Sequence, residues 1–170
     1  MMKGRGMNTR RLTALSLSVA VAMLLSYVEH LLPVFIPIPG VKLGLANVAT
    51  VFALYTLGVP SAVAVSFVRV VLSSLLFGNA LGLLYAFCGA ALALVGMCLA
   101  RRARVFSVVG VSVVGGVLHN VAQITAAAFV MRTAGLVALY LPVLLVSGTV
   151  AGVVIGIASG LLVARLKNKI

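Results

Sequence analysis

The sequence predicts an all-α membrane protein built as a bundle of six transmembrane helices. Of its 170 residues, 64% are hydrophobic and 8% are charged, whereas soluble domains average about 25% charged residues. The apolar residues fall in runs long enough to cross a bilayer, which takes about 20 residues. A soluble fold is not expected, because the chain has too few polar side chains to cover a globule in water.

Turn residues divide the apolar sequence into candidate spans. The breaks between them contain turn residues: Pro33, Pro37, Pro39 and Gly40; Gly58 and Pro60; Gly78 and Asn79; the RRAR cluster at 101–104; and Arg132 to Gly135. The resulting spans cover residues 11–32, 42–58, 60–77, 80–100, 106–131 and 136–164. They form one transmembrane domain (11–165) between a basic N-terminus (1–10) and a basic tail (166–170). The second and third spans are short and closely joined, so a five-span arrangement with one re-entrant segment is the alternative.

The basic residues predict the orientation in the membrane. Ten of the thirteen Lys and Arg residues lie in three clusters at the ends of apolar runs. These residues are Lys3, Arg5, Arg10, Arg11, Arg101, Arg102, Arg104, Arg165, Lys167 and Lys169. Because such clusters stay in the cytoplasm, both termini are predicted to be cytoplasmic, in the cytoplasmic (inner) membrane. The clusters form no continuous stripe and have no aromatic stacking platform, so the expected partner is the lipid bilayer and not nucleic acid.

The shortage of acids limits the chemistry available to the chain. It contains no Asp and a single Glu, Glu29, whereas carboxylate-held Mg²⁺ sites, paired-carboxylate catalysis and Ser-His-Asp triads need more. Cys88 and Cys98 lack metal-ligand spacing and are interpreted as packing residues. The glycine-rich stretch SVVGG (112–116) lacks the GK[ST] of a phosphate-binding loop. We therefore expect no metal, no cofactor and no catalytic residue, and no ability to energise transport alone.

Polar residues inside the apolar runs mark a candidate ligand site, since such groups are costly in lipid. Arg69 lies near the middle of the third span, and His119 and Gln123 share one face of the fifth. In the predicted topology the polar residues fall in the outer half of the membrane or at its midplane. A pocket that opens outward and is roofed by the 33–41 loop would keep them from lipid.

The predicted ligand-binding residues are Glu29, Lys42, Asn47, Arg69, Asn79, His119, Asn120 and Gln123. Basic donors outnumber the acid, which favours a ligand that carries a phosphate, a carboxylate or another electron-rich group. The alternative is a structural network in which Arg69 pairs with Glu29. Within PGVKLGLANV, Gly44 is expected on the first turn of the second span, where it would thin the helix and give Asn47 room to face the interior.

Two rows of small residues predict close helix contacts. The rows are Gly148, Gly152, Gly156 and Gly160 in the last span, and Ala14, Ser18 and Ala22 in the first. At helical spacing, small residues let a neighbouring backbone approach closely in lipid. Each row fits either packing within the bundle or docking of a partner subunit.

Three motifs carry a resemblance to a known family: PGVKLGLANV (39–48), FVRVVLSSLLFGN (67–79) and GVLHNVAQ (116–123). From about residue 10 to 165 the chain resembles the Gx transporter family, also labelled heptaprenyl diphosphate synthase component I. That family looks distantly related to the S components of energy-coupling-factor vitamin transporters. Those are six-helix proteins with cytoplasmic termini and an outward-facing pocket covered by the loop between the first two helices.

The resemblance implies a substrate-binding subunit of a transporter that captures a small molecule from the external face. A coupling subunit and ATPases would come from other chains, and S components typically dock through an AxxxA-type row on the first helix. The alternative is an accessory membrane subunit linked to polyprenyl diphosphate or quinone biosynthesis, or to a membrane flavin and quinone electron-transfer system. Since the chain has no Asp, it does not fit an Asp-rich, Mg²⁺-dependent prenyl transferase. No haem, flavin or iron–sulfur ligand set is visible.

Overall fold

The computed structural model describes residues 9–31 and 44–166, and the elements within them are α-helices. They are α1 (Thr9–Leu31), α2 (Asn47–Thr56), α3 (Val59–Phe77), α4 (Ala80–Ala103), α5 (Val108–Val130) and α6 (Gly135–Leu166). Five of the six are long and apolar enough to cross a membrane, and α2 is the short one. The prediction of an all-α, multi-span membrane protein is confirmed. Lys42 and the 33–41 loop lie outside the described residues.

Most helix ends coincide with the turn residues that the sequence singled out. Gly58 adopts a left-handed φ of 93° immediately before α3, and Pro60 occupies the first turn of that helix, where its missing N–H costs nothing. The Asn79 side chain caps α4 by accepting the N–H of Gly82 at 2.7 Å, and Ser107 caps α5 in the same way. Local residue preferences therefore specify where these helices begin.

The second predicted span differs most from the structure. The sequence predicted a span over 42–58, but α2 begins at Asn47 and has 10 residues, about 15 Å of helix against a hydrocarbon core of about 30 Å. Gly44 lies in the turn before α2, with a φ of 74°, and not on the first turn of a helix as expected. A left-handed φ favours glycine, so the helix starts only after this turn.

The segment 44–57 nevertheless runs along most of α1. At one end, Nη2 of Arg11 donates to the carbonyl of Leu57 at 2.7 Å. At the other end, the N–H of Gly44 donates to the carboxylate of Glu29. Arg11 and Glu29 are separated by roughly 27 Å along the axis of α1, so the segment 44–57 lies antiparallel to α1. The side chains of Arg11 and Glu29 reach the two ends of this segment, although α2 itself is short.

Arg11 and Arg101 both donate to carbonyls near the last turn of α2, at one end of the bundle. We call it the arginine end. There Nη1 of Arg101 donates to the carbonyl of Leu54, and its guanidinium lies 5.0 Å from the ring centroid of Tyr55. The buried core runs from this end around α2. It consists of Ala22, Ala49, Val51, Ala53, Leu54, Leu57, Ala62, Val65, Ala93, Met97, Ala100 and Val111.

The glycine row of α6 faces α5. A β-carbon on Gly152 would lie 2.6 Å from the α-carbon of Val113, and one on Gly156 would lie 2.6 Å from that of Val109. Both distances are shorter than atoms can tolerate, so the two backbones touch. At the end of the row, a β-carbon on Gly160 would meet nothing closer than 4.0 Å. Most of this row therefore packs against α5 inside the bundle, which is one of the two predicted roles.

The small-residue row of α1 also faces inward. Ala22 is fully buried and Ser18 is 6% exposed, while Ala14 packs against the core. The hydroxyl of Ser18 donates to the carbonyl of Ala14 at 2.7 Å, so it is satisfied within its own helix. Intramolecular contacts thus occupy this row in the folded chain.

Candidate functional site

A cavity of about 530 Å³ lies in the half of the bundle away from the arginine end. All six helices contribute to its wall, and we call this half the cavity end. Its polar lining residues are Ser26, Glu29, Asn47, Arg69, Ser73, Ser74, Asn79, Tyr85, His119, Asn120 and Gln123. Its volume lies within the range of roughly 300–1,000 Å³ that small-molecule sites occupy.

Seven of the eight residues predicted to bind a ligand line this one cavity. They are Glu29, Asn47, Arg69, Asn79, His119, Asn120 and Gln123. The eighth, Lys42, lies outside the described residues. The helices bring these side chains together from distant parts of the sequence, and ligand binding by them stays a prediction.

Arg69 and Glu29 are the oppositely charged groups of the cavity wall. Arg69 is half-buried, and its Nε is enclosed without a hydrogen-bond partner among residues 9–31 and 44–166. Glu29 is 9% exposed and interacts electrostatically with Arg69. Its carboxylate also accepts the N–H of Gly44 at the start of the α2 segment. The two opposite charges therefore lie within the wall of the cavity, and the structural network stays an alternative prediction to ligand binding.

His119 and Gln123 approach the cavity one turn apart on α5. A β-carbon on Gly89 of α4 would lie 2.8 Å from Cε1 of His119 and 2.9 Å from Cγ of Gln123. Both side chains therefore lie in the space that Gly89 leaves by lacking a side chain. The importance of Gly89 was not predicted, because the sequence does not show which helix lies opposite His119.

Two asparagines of the cavity wall already hold the protein together. Nδ2 of Asn120 donates to the carbonyl of Leu144 at 2.9 Å and lies 3.4 Å from the hydroxyl of Ser147. Oδ1 of Asn79 caps α4. These bonds leave Asn120 and Asn79 with only part of their hydrogen-bonding capacity for a ligand.

Three other polar side chains of the cavity wall form no such stabilising hydrogen bond with the described residues. The amides of Asn47 and Gln123 and the hydroxyl of Tyr85 line the cavity without a hydrogen bond to any other described residue. Each can donate and accept. In a bilayer-embedded bundle an unpaired polar group is costly, so these three groups suit a polar molecule or water in the cavity.

Sequence reasoning missed Tyr85 and three serines of the lining. Ser26 lies one turn before Glu29, and Ser73 lies one turn after Arg69, on the same helix faces. Projecting each span from its charged residue would have found Ser26 and Ser73, but not Ser74, which lies on a different face of α3 from Arg69. Tyr85 offered no such signal, because no charged residue lies on its helix face.

The described residues offer little for metal chemistry. Across 9–31 and 44–166, no three His, Cys, Asp or Glu side chains come together in the manner of metal ligands. What the wall does offer is one guanidinium, one carboxylate, one imidazole, amides and hydroxyls. Such groups bind and orient a molecule by charge and hydrogen bonds.

Comparison with known proteins connects this arrangement to one family. No curated protein and no solved structure matches the chain. A family model described as heptaprenyl diphosphate synthase component I matches residues 18–162, which include the whole described lining of the cavity. The match agrees with the resemblance carried by the three motifs. The chain therefore belongs to the heptaprenyl diphosphate synthase component I family.

Proposed function

We propose that this protein binds a small anionic or polar molecule in its cavity and is the substrate-binding subunit of a transporter. The observation that carries the proposal is that the cavity-lining side chains of Asn47, Tyr85 and Gln123 have no hydrogen-bond partner among the described residues. A chain selected only to form a bundle in lipid has no reason to keep such groups.

The ligand enters from the external face. Arginines concentrate at the end of the bundle opposite the cavity, where α1 begins and α4 ends. By the positive-inside rule that end is cytoplasmic, so the cavity lies toward the outside of the cytoplasmic membrane. The sole acid of the chain, Glu29, lies at the external end, away from the arginines of the cytoplasmic end.

The ligand carries a hydrogen-bonding or anionic group. Arg69 supplies a planar guanidinium, which suits carboxylates and phosphates, and His119 and Gln123 line the same cavity from α5. Apolar residues such as Val70, Leu81 and Ile155 complete the lining, and they would cover the less polar part of the molecule.

Transport would require other chains. The sequence has no ATP-binding motif, so a coupling subunit and ATPases would supply the energy. Since Ala14, Ser18 and Ala22 pack inward, such a subunit would bind a different surface from the row that S components typically use.

Native mass spectrometry of the detergent-extracted protein tests the proposal, because one spectrum reports both ligand mass and partners. We expect a bound small molecule on the wild type and at least a roughly tenfold lower occupancy in Arg69→Ala and Asn47→Ala, each of which loses a cavity hydrogen-bonding group. Thr149→Ala is the matched control, because Thr149 is exposed on α6 and bonds only its own helix.

Two results together would contradict the proposal. One is a wild-type protein that carries no small molecule. The other is full rescue of a deletion strain by both Arg69→Ala and Asn47→Ala.

A second function, an accessory role in polyprenyl diphosphate or quinone biosynthesis, is favoured by the description of the family. In that case Arg69 and His119 would contact a diphosphate in the same cavity. With no Asp in the chain, catalysis by Asp-held Mg²⁺ would belong to another subunit. Deleting the gene would then change quinone tail length or prenyl diphosphate pools, and unchanged pools would exclude this function.

A further inference from the structure

Glu29 is the one acidic residue in the chain, and it lies where three helices meet. It is 9% exposed near the end of α1. Its carboxylate accepts the N–H of Gly44, just before α2. It also acts electrostatically on Arg69 of α3. One carboxylate therefore connects the three N-terminal helices at the cavity end.

The α2 segment depends on charged groups at both of its ends. The turn at 44–46 satisfies the first amides of α2, with Asn47 N–H donating to the Gly44 carbonyl at 2.8 Å. This turn has no side-chain cap, and Glu29 supplies the negative charge that a helix N-terminus favours. At the other end, Arg11 and Arg101 supply positive charge to the carbonyls. Since a helix of this length is marginally stable by itself, we infer that complementary charges at its two ends stabilise α2.

We propose that Glu29 is the positioning residue of the cavity. Its carboxylate fixes the start of α2, and with it Asn47, and it orients the guanidinium of Arg69 toward the cavity. Its effect on ligand binding is exerted through Asn47 and Arg69. This inference rests on the proposed function only in so far as those two residues contact the ligand.

The charge of Glu29 matters as well as its hydrogen bond. A glutamine at position 29 would keep an oxygen for the Gly44 amide but would leave Arg69 without its negative neighbour. An alanine would remove both interactions. Since an unpaired charge is expensive in a low-dielectric interior, we expect Glu29→Gln to have an intermediate effect and Glu29→Ala a large one.

Hydrogen exchange of the ligand-stripped protein in detergent tests the proposal directly. In Glu29→Ala, amides of the segment 44–50 should exchange about tenfold faster or more, because that segment opens locally. The rate in α5 and α6 should stay within about twofold. Ser18→Ala is the matched control, because Ser18 is buried on α1 but bonds only its own helix.

A double variant tests the link to Arg69. If the carboxylate acts through that charge, the loss of melting temperature caused by Glu29→Gln should be at least halved in an Arg69→Gln background. An equal loss in both backgrounds would contradict this link. Should Glu29→Ala fail to fold, Glu29→Gln still carries both measurements.

The decisive contrary result is an exchange rate in 44–50 that is the same in Glu29→Gln, Glu29→Ala and Ser18→Ala. Glu29 would then have no positioning role, even if its variants lost a ligand. Because exchange is measured without ligand, this outcome is distinct from failure of the proposed function, which depends on what the wild type carries in native mass spectrometry.

Discussion

The three C-terminal helices and the three N-terminal helices are held together by different interactions. Helices α4, α5 and α6 approach through glycines: a β-carbon on Gly115 would lie 2.7 Å from Sδ of Met97, and one on Gly116 would lie 2.6 Å from the carbonyl oxygen of Gly148. Helices α1, α2 and α3 also bury apolar residues, but the ends of the α2 segment are fixed by Arg11 and Glu29.

This difference bears on how far each wall of the cavity can change when a molecule binds. In lipid, close backbone contact stabilises helices by dispersion, and a close-packed interface yields little to deformation. Charged hydrogen bonds are strong in a low dielectric but can exchange partners with a ligand. We therefore expect the wall with His119 and Gln123 to stay fixed, and the wall with Asn47 and Arg69 to adjust when a molecule binds.

The largest expected effect is on the α5–α6 contact. Gly152→Ala or Gly156→Ala should destabilise the protein by more than ~2 kcal/mol, because the new methyl group meets helix backbone that cannot rotate away. The gain in helix propensity, about 1 kcal/mol, is too small to offset this. Thermal unfolding in detergent measures the change.

Gly160→Ala is the control for that substitution. Its β-carbon would meet only Val108, at 4.0 Å, so it should be neutral or slightly stabilising. Equal destabilisation by Gly152→Ala and Gly160→Ala would show that glycine contact does not hold α6 to α5.

A smaller effect is expected at the arginine end. Arg101→Gln removes a charged donor from the carbonyl of Leu54 and a cation from the ring of Tyr55, which should cost ~1.5–3 kcal/mol. The neighbouring Arg102 is exposed, so Arg102→Gln should change stability by less than ~0.5 kcal/mol. Thermal unfolding curves of the two variants should separate, and if they coincide Arg101 does not hold α2.

The smallest effect on stability is expected at Gly89. Its new β-carbon would meet the side chains of His119 and Gln123, which can rotate into the cavity, so Gly89→Ala should cost less than ~1 kcal/mol in thermal unfolding. Ligand occupancy in native mass spectrometry should nevertheless fall, because the rotated side chains fill the cavity. In Gly135→Ala, where nothing lies within 4 Å, occupancy should not change. Unchanged occupancy in Gly89→Ala would mean that these side chains do not contact the ligand.

Five of the six predicted spans correspond to long helices, and seven of the eight residues predicted to bind a ligand line one cavity. Both results follow from the free-energy cost of exposing polar groups to lipid. Apolar runs have few ways to satisfy their backbone in lipid, and polar residues such as Arg69 and His119 avoid lipid by gathering in one interior space. The error over 42–58 had a local cause: Gly44 was expected inside a helix, but its left-handed φ delays the helix to Asn47.

The membrane class, the helix ends at Gly58 and Asn79, and the set of polar residues that must avoid lipid could all be derived from the amino-acid sequence. These depend on composition and on local backbone preferences, which one chain segment expresses alone. The packing of the helices was needed to show that the glycine row faces α5, that Gly89 makes room for His119, and that Glu29 accepts the N–H of Gly44 in the same cavity wall as Arg69. Such facts depend on which helices are neighbours and at what height, and a periodic pattern along one helix carries no information about its partner.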